Sequence, residues 1–168
     1  MRARHVGPPV TWSRKFENGL GCMLRGNALA KVDDKGRLKL PAAFRSIIEP
    51  KYGKDFFVTS FRGESARIYP LKVYTRLEER LLESSAVQPL VNKLRNSLNF
   101  YGQSALMDSQ GRVLIHPLLR KRAEISGEVA VLGQQNYLEV WNLTSFEQWL
   151  KQDPLTDVDL KELAVFGF

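Results

Sequence analysis

An eight-residue segment occurs twice in this chain. Asp33-Asp34-Lys35-Gly36-Arg37-Leu38-Lys39-Leu40 returns as Asp108-Ser109-Gln110-Gly111-Arg112-Val113-Leu114-Ile115, with the Asp, Gly and Arg kept and the apolar positions matched. A constant offset of 75 positions links Asp33 to Asp108, Gly36 to Gly111, Arg37 to Arg112 and Arg45 to Arg120. Downstream pieces follow the same plan. Phe56-Phe57-Val58-Thr59 corresponds to Val129-Ala130-Val131-Leu132, and Arg67-Ile68-Tyr69 to Glu139-Val140-Trp141. Two copies are too few for a solenoid, which stacks three or more units to bury a continuous core. Two half-domains that complete each other are expected instead.

Each copy shows the same local grammar. Ala28–Val32 reads as a strand, Asp33-Asp34-Lys35-Gly36 as a turn in which Gly36 is free to take a positive φ. Arg37–Leu40 alternates with period two, so Leu38 and Leu40 are expected to face a core while Arg37 and Lys39 point together to the other side. Pro41 suits the first turn of a helix, Ala42–Ile48, closed by Pro50 and Gly53. Strands Phe56–Phe61 and Ala66–Tyr69 then make a hairpin around Arg62-Gly63-Glu64. The second copy reads as strand Ser104–Met107, turn Asp108–Gly111, strand Arg112–Ile115, helix Leu118–Ile125 opened by Pro117, and strands Glu128–Leu132 and Leu138–Trp141. Between the copies, Val73, Leu77, Leu81 and Leu82 recur at helical spacing, Pro89 interrupts, and Leu90, Leu94 and Leu98 resume. A last amphipathic stretch runs from Thr144, read as an N-cap with Glu147 three residues on, through Leu150 and then Asp157–Phe166.

The organisation that follows is an extension over 1–22, a first repeat over 23–70, a helical connector over 71–103, a second repeat over 104–142 and a helical segment over 143–168. Residues 1–22 hold Gly7-Pro8-Pro9 and Asn18-Gly19-Leu20-Gly21 and few periodic apolar positions, so they read as flexible, with Met23 as an alternative start.

Several function classes drop out. No apolar run approaches the ~20 residues that span a bilayer, so no membrane partner is expected. The single cysteine, Cys22, permits neither an intrachain disulfide nor a cysteine metal cluster. The only histidines are His5 and His116, and no nucleotide-binding loop or metalloprotease motif is present. Asp33 and Asp108 could be imagined as a carboxylate pair, but each sits where Asp hydrogen-bonds the backbone of a turn. Catalytic residues, metal, cofactor and small-molecule substrate are therefore all expected to be absent.

The net charge of +7 is unevenly spread. Residues 23–45 hold Arg25, Lys31, Lys35, Arg37, Lys39 and Arg45 against Asp33 and Asp34, and residues 46–168 are neutral. A concentrated cationic region suits a polyanion, because each Lys or Arg placed on a phosphate releases counterions. Within it, Asp33 is four residues from Arg37 across a tight turn and can fix either the guanidinium or the turn backbone. A fixed arginine presents its planar fork to phosphate or to guanine O6 and N7 at lower ordering cost. Arg25, Lys31, Lys35, Arg37, Lys39 and Arg112 are the candidate DNA-binding residues, and Asp33, Gly36, Asp108 and Gly111 the residues that shape the turns. The alternative is that both Asp–Arg pairs are only structural. Copy two has Gln110 and Leu114 where copy one has Lys35 and Lys39, so copy one is expected to dominate DNA contact and copy two to serve folding or assembly.

Met23-Leu24-Arg25-Gly26, followed by Asp33-x-x-Gly36-Arg37-x-x-Leu40-Pro41-x-x-Phe44-Arg45, resembles the start of the MraZ family of bacterial transcriptional regulators. Asp108-x-x-Gly111-Arg112-Val113-Leu114-Ile115, Leu119-Arg120 and Gly133-Gln134-x-Asn136-x-x-Glu139-Val140-Trp141 resemble its second half. Residues 1–22 depart from the family pattern, and His116 stands where the first copy has Pro41. The resemblance implies an α+β fold of duplicated AbrB-like swapped-hairpin β-barrel units with surrounding helices. It further implies a cytoplasmic, nucleoid-associated protein that binds double-stranded DNA, assembles as a ring-shaped homo-oligomer, and mainly represses from direct repeats upstream of its own division and cell-wall gene cluster. Phe146, Trp149, Leu150 and Phe166 exceed what a thin core should need, which fits a head-to-tail assembly that closes. Two other classes compete. An enzyme on this scaffold would need a convergent polar site that the sequence does not offer. A protein-interaction or antitoxin-like module without specific DNA binding would differ in lacking a steep dependence on salt.

Overall fold

Period-two alternation in both copies yields strands, and these pair mainly with strands of the other copy. The computed structural model describes residues 23–83 and 88–167; the extension read over 1–22, with Cys22 and His5, lies outside them. Copy one supplies β1 (Asn27–Val32), β2 (Arg37–Lys39), α1 (Ala42–Tyr52), β3 (Asp55–Thr59) and β4 (Ala66–Pro70). Helices α2 (Leu71–Glu83) and α3 (Gln88–Phe100) follow. Copy two supplies β5 (Gln103–Leu106), β6 (Arg112–Leu114), α4 (Pro117–Arg122), β7 (Gly127–Gln134) and β8 (Tyr137–Asn142), and α5 (Leu143–Gln152) and α6 (Asp157–Leu163) come last.

The eight strands form one antiparallel sheet in the order β5-β3-β4-β8-β7-β1-β2-β6. It is nearly closed, because the turn between β5 and β6, with Asp108 N donating to Arg112 O, joins its two edges. Exchange of the copies runs through the register. Ala30 lies opposite Val129, and in the reciprocal position Ala105 lies opposite Phe56. Two strand pairs bring a residue against its own counterpart: Leu38 opposite Val113 in β2–β6, and Arg67 opposite Glu139 in β4–β8. A pseudo-two-fold axis therefore passes through both pairs. The fold is a duplicated AbrB-like swapped-hairpin barrel with helices around it.

Leu38, Ile48, Val58, Ile68, Val113, Ile115, Leu119, Val131, Leu138 and Val140 are fully buried inside the barrel. A second cluster of Tyr69, Val73 and Tyr74, with Tyr52, Phe57, Leu77 and Tyr137 against it, seats α2 on β3 and β4. Of the apolar connector residues, Leu82 and Leu90 turn to solvent while Tyr74 and Val91 take buried places. Pro89 falls in the first turn of α3, where its missing N–H has no helical partner to lose.

Local differences from the sequence reading have identifiable causes. α1 continues past Pro50 to Tyr52, since Gly53 N still donates to Glu49 O at 3.0 Å and the helical ladder resumes after the proline, and Gly53 with φ +87° ends it. α4 stops at Arg122 rather than reaching Ile125. Glu124 adopts the left-handed conformation (φ +52°) and Ile125 N donates back to Arg120 O, the bond that closes a helix C-terminus. The N-cap of α5 is Asn142, whose Oδ1 accepts from Ser145 N at 2.9 Å, and Thr144 is already inside the first turn. His116 caps α4 at the end of β6, buried, with Nε2 hydrogen-bonded to the Tyr101 carbonyl.

Candidate nucleic-acid interface

Both turns are built the same way around one carboxylate. In copy one, Asp33 Oδ1 accepts from Lys35 N (3.0 Å) and Arg37 N (2.9 Å), while Oδ2 accepts from Arg37 Nε (2.8 Å). In copy two, Asp108 Oδ1 accepts from Gln110 N (2.9 Å) and Arg112 N (3.0 Å), and Oδ2 from Arg112 Nε (2.7 Å). The backbone bond from Arg37 lowers the Asp33 pKa most, followed by its guanidinium; for Asp108 the backbone bond from Arg112 leads in the same way. Both carboxylates are thus held ionised and committed to their own turns, which removes them as a catalytic pair. Each partly exposed guanidinium is fixed along one edge, Arg37 by Nε and Nη2 (both 2.8 Å from Asp33 Oδ2) and Arg112 by Nε, and the opposite edge keeps its N–H groups for a ligand.

Gly36 (φ +82°) and Gly111 (φ +76°) take the left-handed conformation that closes each turn. They are also points of crossing between copies. A methyl at Gly36 would lie 2.5 Å from the Arg120 guanidinium, and one at Gly111 2.6 Å from that of Arg45. Reciprocal backbone bonds, Leu40 N to Gly111 O and Ile115 N to Gly36 O, both 2.9 Å, lock each strand to the other copy's turn. Arg45 is neutralised by Glu49 at 3.0 Å, whereas the Nε of Arg120 is buried without a hydrogen-bond partner.

The register of β2 on β6 decides what the two turns present together. Arg37 lies opposite Leu114, Leu38 opposite Val113, and Lys39 opposite Arg112. The middle pair points into the barrel, so Arg37, Leu114, Lys39 and Arg112 share the outer face. Lys31, on β1, stands exposed on the same side next to Lys39, opposite Glu128 of β7. Lys31, Lys39 and Arg112 therefore form a cationic row across three adjacent strands, and Lys35 projects from the turn at its margin. Like charges directly opposite on neighbouring strands destabilise a sheet by a few tenths of a kcal/mol or more, so an anionic ligand would relieve the Lys39–Arg112 pair.

Of the candidates read from the sequence, Lys31, Lys35, Arg37, Lys39 and Arg112 come together here. Arg25 does not: it precedes β1, beside the Leu24–Gln135 bridge, about 20 Å along the strand from Lys31. Arg112 sits beside Lys39 rather than on a separate packing surface, so a division of labour between copies does not follow from the geometry. Arg45 and Arg120 escaped the sequence reading as site residues. Their shared 75-residue offset was the available signal, but their placement over the opposite copy's turn arises only from the swap.

The fold and this face define a class: a duplicated swapped-hairpin barrel whose two motif copies merge into one basic two-stranded ribbon. Comparison with known proteins narrows it further. Residues 102–163 match the family model described as "MraZ protein, putative antitoxin-like". The transcriptional regulator MraZ of Acidobacterium capsulatum is 45% identical over 145 residues, covering 86% of this chain and 99% of that protein. That of Koribacter versatilis is 46% identical over 146 residues, with the same coverage, and that of an Escherichia coli strain 32% identical over 143 residues, 84% of this chain and 91% of the relative. The chain belongs to the MraZ family, whose members are named transcriptional regulators, not enzymes.

Proposed function

We propose that this protein is a sequence-specific double-stranded-DNA-binding regulator, mainly a repressor, whose β2–β6 ribbon enters the major groove. The observation that carries this reading is the register that sets Arg37 and Arg112, each held by its own aspartate, on one exposed face with Lys39. A two-stranded ribbon fits a groove about 12 Å wide, and arginines fixed at their Nε side can meet guanine edges or phosphates with little further ordering. Lys31, Lys35 and Lys39 extend the positive surface to the flanking phosphates.

In this reading the protein is cytoplasmic and nucleoid-associated and binds direct repeats upstream of its own division and cell-wall gene cluster. Among the described residues, no helix is long and apolar enough to cross a membrane. The protein assembles head to tail into a ring. Support for assembly comes from Trp149, Leu150, Leu155, Val158, Leu160, Val165 and Phe166, which all stand exposed on the C-terminal segment. A ring sets several ribbons at regular intervals in one sense, which suits direct repeats and raises affinity through multivalency.

The test is a gel shift with DNA from upstream of the protein's own gene, with scrambled competitor and a salt series, paired with light scattering. Specific retention with a steep salt slope is expected, from an oligomer at micromolar concentration. One rival takes up the words "putative antitoxin-like" of the family description: a module whose arginine turns bind protein rather than a specific DNA site. Salt-insensitive behaviour and equal competition by scrambled DNA would select that rival.

A further inference from the structure

The outer face of the β2–β6 ribbon is cationic except at one position. Leu114 is 45% exposed and lies directly across from Arg37, two residues along its own strand from Arg112. Its counterpart in copy one is Lys39, which lies across from Arg112. The ribbon is therefore nearly two-fold symmetric about Leu38 and Val113, and the symmetry is broken by a cation on one side and a branched apolar side chain on the other. Nothing in the barrel calls for this leucine. Its neighbours Val113 and Ile115 are the side chains of that strand that fill the core. An apolar protein partner seated on Leu114 would also have to bury Arg37, Arg112 and Lys39, at a desolvation cost that only matched anions offset.

Resting on the DNA-binding reading above, we propose that Leu114 determines specificity by packing on the C5-methyl group of a thymine next to the base pair met by Arg37. In the major groove that methyl is the one apolar feature a base edge presents, and apolar side chains recognise it by contact. Side chains opposite one another on paired strands stand about 5 Å apart, and successive base pairs about 3.4 Å, so Arg37 and Leu114 reach adjoining steps. Lys39, in the equivalent place, has no such contact to make and binds phosphate. The face then reads its site in one direction only. A directional face is what tandem boxes in one orientation require, whereas a symmetric ribbon would favour an inverted repeat.

The experiment is a binding titration with duplexes from upstream of the protein's own gene in which each thymine is replaced singly by deoxyuridine, which removes only the methyl. Wild-type protein is compared with Leu114→Ala and Leu114→Lys, each first checked for an unchanged melting temperature. One thymine per box should show about a four-fold loss on demethylation, as expected for one buried methyl-sized group. Both variants should bind the two duplexes equally, and Leu114→Lys should steepen the salt slope by about one. If no thymine is sensitive, or if both variants keep the wild-type sensitivity, Leu114 does not read the methyl. Should one variant fail to fold, the other decides alone. Failure of wild-type protein to bind any of these duplexes specifically would instead overturn the DNA-binding reading itself.

Discussion

At Asp33 one carboxylate oxygen closes the turn backbone while the other holds the Arg37 guanidinium, so truncation removes two functions at once. Asn separates them, since its side-chain oxygen still accepts from the Lys35 and Arg37 N–H groups but has no charge for the guanidinium. Asp33→Asn should therefore keep the fold and lose only the charge-dependent part of the stability at neutral pH, while binding DNA more weakly, as read by thermal denaturation and fluorescence anisotropy. Because the pKa values of Asp33 and Asp108 lie below the ordinary carboxylate value in the folded protein, their contribution is complete above the unfolded pKa. It is lost only as pH falls through the depressed values. Stability from this source should be level from pH 5 to 8 and decline below about pH 4, which a pH series of melts would show. Gly36→Ala meets two obstacles, a left-handed backbone and the Arg120 guanidinium 2.5 Å from the new methyl. A loss of about 1–2 kcal/mol in denaturant unfolding is expected from the backbone alone. An unchanged midpoint would show that the turn relaxes.

Across β2 and β6 the proposed DNA-binding unit is a strand pair drawn from both copies. Arg37 and Arg112 occupy equivalent places about the Leu38–Val113 pair, so Arg37→Ala and Arg112→Ala should each weaken operator binding by about 1–3 kcal/mol where a base is read. An arginine that meets only phosphate would instead lower the salt slope by about one on removal. Lys39→Ala should weaken binding evenly across sequences, and by removing the like-charge neighbour of Arg112 it should leave the free protein no less stable. The comparison is a salt titration of all three variants. Wild-type affinity in an Arg37/Lys39 double alanine variant would remove the ribbon from the interface.

The whole molecule is stabilised by pairings that no single copy contains. β1 finds its long partner in β7, β3 in β5, and β2 in β6. Residues 23–83 produced alone therefore lack the neighbour of every strand except the β1–β2 and β3–β4 pairs, and should show no cooperative thermal transition. Mixed in equal amounts with residues 88–167, they should regain one by circular dichroism. A cooperative melt of the first half alone, as a monomer by light scattering, would mean that the halves are independent domains.

The elements and the chemistry of the motif are legible in the residues alone. Period two in Arg37-Leu38-Lys39-Leu40 settles which residues face the core, and Asp-x-x-Gly-Arg at four-residue spacing settles the carboxylate–guanidinium turn, because both are local interactions. Helix ends were less legible. Of the two residues read as closing α1, Pro50 lies inside the helix and Gly53 ends it, and α5 is capped by Asn142 rather than by Thr144, because Asn142 Oδ1 reaches the free Ser145 N–H. It takes the three-dimensional pairing of strands to show that Arg112 joins Lys39 on one face, that Arg45 and Arg120 lie over the opposite copy's turns, and that Arg25 falls beyond the far end of β1. A repeat in one dimension states that two units are alike. Whether they stand side by side or exchange strands depends on register across the copies, and that is fixed by burial of both sets of inward-facing side chains in one common core.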